Sequence, residues 1–191
     1  MRAIKTGILM LTLAGVLAGQ AVRADDLPGM ALTAAPAVDQ WSLGGNATHG
    51  MKRDAGVPGG WDLDVAVAAA GTNPWDVQAG VATTQAIRKG DVILLAFWAK
   101  TVTPPAGQAA GAIIANVQQS HAPYTRVGEA SLSIDSTWKL YYVSGTAGMD
   151  LVAGEAAATV QLAGAAQEIA LGPVFVRDLG PGYDLSRLPV N

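Results

Sequence analysis

The sequence predicts an all-β protein, an antiparallel sandwich or barrel. Glycine and proline turn signals recur roughly every ten residues, for example at 58–60, 71–74 and 104–107. The segments between these turns are rich in β-branched and aromatic residues, which favour strands. In several of them apolar residues alternate with polar ones, the period of a strand with one buried face.

Eight strands are predicted, near residues 62–68, 76–82, 92–99, 112–118, 130–134, 139–144, 157–162 and 169–176. The alanine-rich stretch 153–170 is also compatible with a helix. Within it, however, Val160 and Leu162 alternate with Thr159 and Gln161. A period of two indicates a strand, because a helix would repeat every three to four residues.

The first 24 residues are predicted to be a secretory signal. Arg2 and Lys5 precede an apolar run at 8–17, and small residues lead to a cleavage point after Ala24. The run is shorter than the ~20 residues that a membrane-spanning helix needs. The mature protein, expected to begin at Asp25, is therefore predicted to be secreted or periplasmic, with no membrane span.

Charge and cysteine content exclude several classes of function. The chain has 12 basic and 15 acidic residues, and removal of Arg2, Lys5 and Arg23 with the signal leaves a net charge of −6. Nucleic-acid-binding proteins concentrate Lys and Arg instead, so no nucleic-acid partner is expected. Cysteine is absent, which excludes disulfides, thiolate metal sites and Cys nucleophiles.

Aromatic side chains on a sandwich either fill the core or lie open, where the apolar face of a sugar ring packs on them. In the strand 92–100, alternation sends Phe97 to the core and Trp98 and Lys100 to the other face. Trp98 is therefore either a packing residue or a ligand contact. Trp75 opens a strand after a Gly-Thr-Asn-Pro turn, at the mouth of the predicted sheet.

Amide side chains share the second face of two predicted strands. Asn116 and Gln118 alternate with apolar neighbours in one strand, and Gln161 does so in another. They form either a solvated outer face or a row that hydrogen-bonds sugar hydroxyls, since an amide both donates and accepts.

The sequence offers little material for catalysis. It contains no Gly-x-Ser-x-Gly elbow, His-Glu-x-x-His motif or phosphate-binding loop. His121, Tyr124 and Arg126 lie close together and leave two interpretations open, a polar loop or the proton-transfer and carboxylate-neutralising groups of a polysaccharide lyase. The protein is expected not to be an enzyme.

The order of the motifs resembles the carbohydrate-binding modules (CBMs) of families four, nine, sixteen and twenty-two. The matching segments are Gly59-Gly60 before a strand, then 73–78, 87–91, 93–100, Tyr124, 136–142 and 169–176. The resemblance spans about Trp41 to Asp178. It divides the chain into a signal (1–24), an N-terminal extension (25–40), the CBM-like sandwich (41–178) and a C-terminal strap or linker (179–191).

The resemblance implies a jelly-roll sandwich of the galactose-binding type that binds β-linked plant or algal polysaccharide in a concave groove. It implies ligand-stacking roles for Trp75 and Tyr124. On the penultimate strand, Gln161 and Ala163 stand where the family often has Tyr and Glu. The family commonly holds a structural calcium, but an early ligand motif is missing and Gly172-Pro173 replaces the expected Asp, so no cofactor is predicted.

The leading hypothesis is a secreted, non-catalytic polysaccharide-binding protein, acting alone or beside a separate carbohydrate-active enzyme. In it the stacking residues are Trp75, Trp98 and Tyr124, and the hydroxyl-bonding residues are Asn116, Gln118 and Gln161. One alternative is an envelope structural or assembly protein that keeps the sandwich without a sugar site. A third hypothesis is the small lyase that uses His121, Tyr124 and Arg126.

Overall fold

The structure is a computed structural model, and it describes residues 27–191. The predicted signal segment and its cleavage point at Ala24 lie outside the described residues. Eleven strands follow one another: β1 Met30–Ala31, β2 Ser42–Gly45, β3 Thr48–Arg53, β4 Trp61–Val67, β5 Val77–Ala82, β6 Asp91–Thr103, β7 Gly111–Gln119, β8 Arg126–Ile134, β9 Lys139–Thr146, β10 Ala156–Gln161 and β11 Gln167–Pro181. The helices described are the short 3₁₀ turns Val38–Gln40, Pro74–Asp76 and Leu185–Arg187. Between residues 27 and 191 no helix is long and apolar enough to cross a membrane.

Two antiparallel sheets form a sandwich. One has the order β3-β4-β11-β6-β9 with β1 paired to β11, and the other has the order β2-β5-β10-β7-β8. The eight predicted strands correspond to β4 through β11, so the predicted all-β sandwich is confirmed. β1 lies in the stretch predicted as an N-terminal extension, and β11 runs into the predicted strap.

The space between the sheets is filled chiefly by one face of the strands β4 to β11. Phe97 of β6 points into this core, as the alternation predicts. Its ring stacks on Tyr141 with centroids 6.1 Å apart and meets Trp41 edge-on at 6.4 Å. The Trp41 indole donates a hydrogen bond to the Gly172 carbonyl oxygen at 2.8 Å. Trp41 is therefore a core residue.

A second apolar cluster lies on the outer side of the six-stranded sheet. Its buried members are Leu27, Leu94, Ala96, Leu140 and Phe175, with Trp98, Tyr142, Leu179 and Leu188 packed against them. At this sheet's edge, the Asn191 side chain donates to the Tyr142 carbonyl oxygen at 2.8 Å and accepts from its backbone N–H at 2.7 Å. Leu27 and the segment 179–191 thus help to cover this side.

Asp54 is the centre of a hydrogen-bonded group that includes Lys100 and Trp138. Its carboxylate accepts hydrogen bonds from Lys100, from the Trp138 indole at 3.0 Å and from the Gly56 backbone N–H at 2.7 Å. These bonds, chiefly that from Lys100, lower the pKa of Asp54 to about 2. Because the folded-state pKa is depressed, this stabilisation is present at neutral pH and is lost as the pH falls from the ordinary Asp pKa toward 2.

Asp62 and Asp64 project from β4 on the same outer side, because Leu63 and Val65, which alternate with them, face the core. Asp64 forms an ion pair with Lys52. Asp62 is 3% exposed, and its Oδ1 has no hydrogen-bond partner among the described residues. Burial, followed by repulsion from Asp64, raises the pKa of Asp62.

We expect Asp62→Asn to raise the thermal midpoint at pH 7. A raised folded-state pKa means that the ionised carboxylate opposes folding above its unfolded pKa, and the amide removes that charge. The gain should shrink as the pH falls toward about 4, where Asp62 becomes protonated in both states. Calorimetric melts of the wild type, Asp62→Asn and the exposed control Asp39→Asn across this pH range check this. A lower midpoint for Asp62→Asn at pH 7 would contradict it.

Candidate functional site

Amide and hydroxyl side chains cover the middle of the outward side of the five-stranded sheet. Core-facing Ala and Val residues of β5, β7 and β10 alternate with them, so each strand sends its polar set to the opposite side. The register brings together side chains that are distant in sequence. Gln161 lies between Gln78 and Ile114, and in the next row Thr159 pairs with Asn116.

A depression of about 370 Å³ opens on this side of the sheet. Its lining residues are Trp75, Gln78, Gln118, Tyr124, Arg126 and Gln161. We call it the aromatic depression. It brings together four of the residues predicted as ligand-binding: Trp75, Gln118, Tyr124 and Gln161. A fifth, Asn116, lies in the neighbouring row of the same side.

Trp75 is presented by the 3₁₀ turn Pro74–Asp76, which is fixed at both ends. The Asp76 carboxylate accepts from the Asn73 backbone N–H at 2.9 Å and from the Asn73 side chain at 3.3 Å, forming a capping box. The Ala163 N–H donates to the Pro74 carbonyl oxygen at 3.0 Å. The Trp75 ring remains 51% exposed, so the turn holds an open ring at the rim.

Gly71 shows how closely this turn is packed. Its N–H donates to the Ala163 carbonyl oxygen at 2.9 Å. A Cβ at Gly71 would lie 2.8 Å from Asp76 Oδ2 and 3.1 Å from the Ala163 methyl group. The glycine therefore permits the close approach that ties the Trp75 turn to the segment after β10.

Tyr124 belongs to the loop between β7 and β8. It adopts φ 57°, a left-handed conformation that is uncommon for a residue other than glycine. Its N–H donates to the His121 carbonyl oxygen at 2.8 Å, and the Gln119 N–H donates to the Thr125 carbonyl oxygen at 2.9 Å. Such conformations persist where the surroundings hold them and are frequent at ligand contacts. The Tyr124 ring is 54% exposed.

The floor of this face contains buried polar atoms with unused bonding capacity. Asn116 is 0% exposed, and its Oδ1 accepts from Thr159 Oγ1 at 2.7 Å. Asn116 Nδ2 and Gln161 Oε1 have no hydrogen-bond partner within the described residues. Buried polar groups are normally paired, so these two atoms are exceptions; less than 1 Å² of each is exposed, and both lie beneath the surface that a ligand would touch.

The charges at this site are internally compensated. Arg126 forms an ion pair with Glu129 at 2.5 Å, and Glu129 is the cross-strand neighbour of Asn116. His121 Nε2 lies 3.8 Å from Glu155. The depression therefore presents a paired guanidinium rather than a bare cation.

The structure separates Trp98 from the other predicted ligand-binding residues. Trp98 lies on β6, in the opposite sheet, and packs against the outer apolar cluster. The alternation correctly places it opposite Phe97. The sequence pattern did not show that Leu27, Leu179 and Leu188 cover the face that carries Trp98, so the grouping of Trp98 with Trp75 and Tyr124 is corrected here to a packing position.

The calcium implied by the sequence resemblance lacks the carboxylate expected early in the closing strand, because Gly172 and Pro173 contribute no side-chain oxygen to β11. In the described range, 27–191, no group of three or more His, Cys, Asp or Glu side chains is arranged to hold a metal ion.

Solved structures share this architecture. The CBM22-1 xylan-binding domain from Paenibacillus barcinonensis Xyn10C matches with a TM-score of 0.57 at 16% identity, over 81% of this chain and 98% of its own. The second N-terminal cellulose-binding domain from Cellulomonas fimi β-1,4-glucanase C matches at 0.57 and 18%, over 78% and 95%. A CBM4 structure matches at 0.55 and 21%, over 73% and 95%. The fold is the jelly roll of carbohydrate-binding modules.

The fold predicted from the motif order is thus confirmed. No protein-family model matches the sequence, and no curated protein matches it either. The similarity of this jelly roll to solved CBMs therefore rests on three-dimensional structure.

Gln78, Thr159 and Glu129 belong to the site but were not predicted. Thr159 follows the same alternation that identified Gln161, so the sequence contained its signal. Gln78 and Glu129 join the site only through the pairing of β5 with β10 and of β7 with β8. Strand order and register are long-range properties that a single sequence does not display.

We expect Asp76→Ala to loosen the Trp75 ring without unfolding the jelly roll. Hydrogen bonding to Asn73 lowers the pKa of Asp76, which indicates that the capping box favours the carboxylate. The heteronuclear NOE of the Trp75 indole N–H should fall while those of Trp41 and Trp98 stay unchanged. Asp39→Ala is the control, since Asp39 lies in another 3₁₀ turn without capping it. An unchanged Trp75 NOE would contradict the platform role.

Proposed function

We propose that this protein is a non-catalytic domain that binds a neutral polysaccharide on the outward side of the five-stranded sheet. The observation that carries the proposal is the convergence of two exposed rings and three glutamine side chains on one depression. The rings are Trp75 and Tyr124, and the amides are Gln78, Gln118 and Gln161.

This combination suits a sugar chain because each part matches a different sugar surface. The C–H face of a pyranose packs on an aromatic ring. Glutamine and asparagine amides donate to and accept from hydroxyl groups, and the side chains of Gln78, Gln118 and Gln161 line the depression. The rings then supply most of the affinity, and the amides supply orientation.

The charge distribution favours a neutral ligand. Glu129 already neutralises Arg126, and the mature chain has an expected net charge of −6, which repels a polyanion. The same pairing argues against the lyase hypothesis, because a lyase needs Arg126 or His121 free to meet a uronate carboxylate. The half-exposed Trp75 ring argues against the purely structural alternative.

The setting of this function is also part of the proposal. The predicted signal segment points to a secreted or periplasmic protein. Two of the structurally similar domains carry the names of Xyn10C and β-1,4-glucanase C. We infer that this domain binds the polysaccharide either alone or beside a separate carbohydrate-active enzyme, which it would keep close to the polymer.

Alanine substitution at Trp75 should weaken polysaccharide retention by roughly tenfold or more, because truncating a central stacking ring removes a dominant contact. Affinity electrophoresis through native gels containing xylan, β-glucan, mannan, alginate or pectin measures this effect. Tyr124→Ala should weaken retention in the same gel, and the neutral polymers should retard the wild type more than alginate or pectin.

Trp61→Ala is the matched control, because Trp61 is also exposed but lies on the six-stranded sheet. Its retention should equal that of the wild type. Equal thermal midpoints for the variants exclude unfolding as the cause of any loss. Full retention of Trp75→Ala and Tyr124→Ala would contradict the site, and no retention of the wild type by any polymer would contradict the function.

A further inference from the structure

A second depression adjoins the aromatic one on the same side of the sheet. It has a volume of about 600 Å³ and shares Gln161 with the aromatic depression. Its lining also includes Pro74, the residue before Trp75. We call it the aliphatic depression. A polysaccharide that stacks on Trp75 and passes Gln161 would enter the aliphatic depression directly.

Its chemistry differs from that of the aromatic depression. The apolar part of its lining includes Pro105, Ala112 and Ile114, with the hydroxyls of Ser131 and Ser133 beside them. Among the described residues that line it, none is charged and none is aromatic. A bare sugar ring would therefore find neither a stacking platform nor a charged hydrogen-bonding group there.

Ile114 is the central feature of this depression. It occupies an outward position of β7, between Gln161 of β10 and Ser131 of β8. The next outward residues along β7 are Asn116 on one side and Ala112 on the other. The Ile114 side chain is only partly buried. An unpaired sugar hydroxyl pressed against it would lose hydrogen bonds to water, whereas a methyl group would gain from leaving water.

We propose that the aliphatic depression receives an O-acetyl substituent of the bound polysaccharide. The methyl group packs on Ile114 and Pro105, and the ester carbonyl oxygen accepts a hydrogen bond from the Ser131 or Ser133 hydroxyl. An acetyl ester fits better than a methyl group alone, because the Ser131 and Ser133 hydroxyls that can donate to its carbonyl oxygen line the same depression as Ile114 and Pro105. This inference rests on the proposed function, and it narrows the ligand to acetylated chains.

The test uses soluble acetylated xylo-oligosaccharides and the same preparation after mild alkaline deacetylation, titrated calorimetrically into the mature protein. The wild type should bind the acetylated sample about tenfold to fiftyfold more tightly, the range expected for burying one methyl group with one hydrogen bond. Ile114→Thr, which keeps a β-branched side chain but adds a hydroxyl, should remove most of that preference. Ile114→Val should retain it.

The outcomes separate the two proposals. Equal affinity of the wild type for both samples overturns the acetyl site and leaves polysaccharide binding standing. An acetyl preference that survives Ile114→Thr overturns its placement in this depression. No binding of either sample, with native gels of neutral polymers also negative, overturns the proposed function and this inference together.

Discussion

The packing of two sheets against each other fixes where every side chain of this domain can lie. Val160 of β10 is completely buried between the sheets, so Thr159 and Gln161 must face outward. A slip of one residue would bring both into the core and expose Val160, at a large cost in free energy. The buried rows thereby determine the register, and the register assembles the polar side that we propose binds sugar.

The loops add the two aromatic rings, Trp75 and Tyr124, to the outward side of the five-stranded sheet. The Trp75 turn is tied to Ala163 and capped by Asp76, and the Tyr124 loop is held in a left-handed conformation. Rings held in place before binding lose less conformational freedom when a ligand arrives. The aliphatic depression around Ile114 then continues the same face, so one surface carries all three of the contacts that we propose: ring stacking, hydroxyl recognition and substituent recognition.

β6 was predictable as a long apolar run, and most of its residues are buried on both faces of the sheet. Alternation made the amide rows of β7 and β10 predictable, because core-facing Ala and Val residues alternate there with Asn116, Gln118 and Gln161. It did not reveal β2 Ser42–Gly45 or β3 Thr48–Arg53, whose residues are almost all partly or fully exposed and show no apolar period. It also placed Trp98 on the correct face without showing that Leu27, Leu179 and Leu188 cover that face. These gaps share one cause, since sheet order and terminal packing depend on contacts between distant segments.

The most direct test of the account is an NMR titration of the ¹⁵N-labelled mature protein with xylohexaose, following indole and side-chain amide resonances. The five tryptophans report from separate parts of the jelly roll. The account predicts that the Trp75 indole and the Asn116, Gln118 and Gln161 amides shift together, while the Trp61 and Trp98 indoles do not. Shifts centred on Trp61 or Trp98, with Trp75 and the amides unmoved, would contradict it.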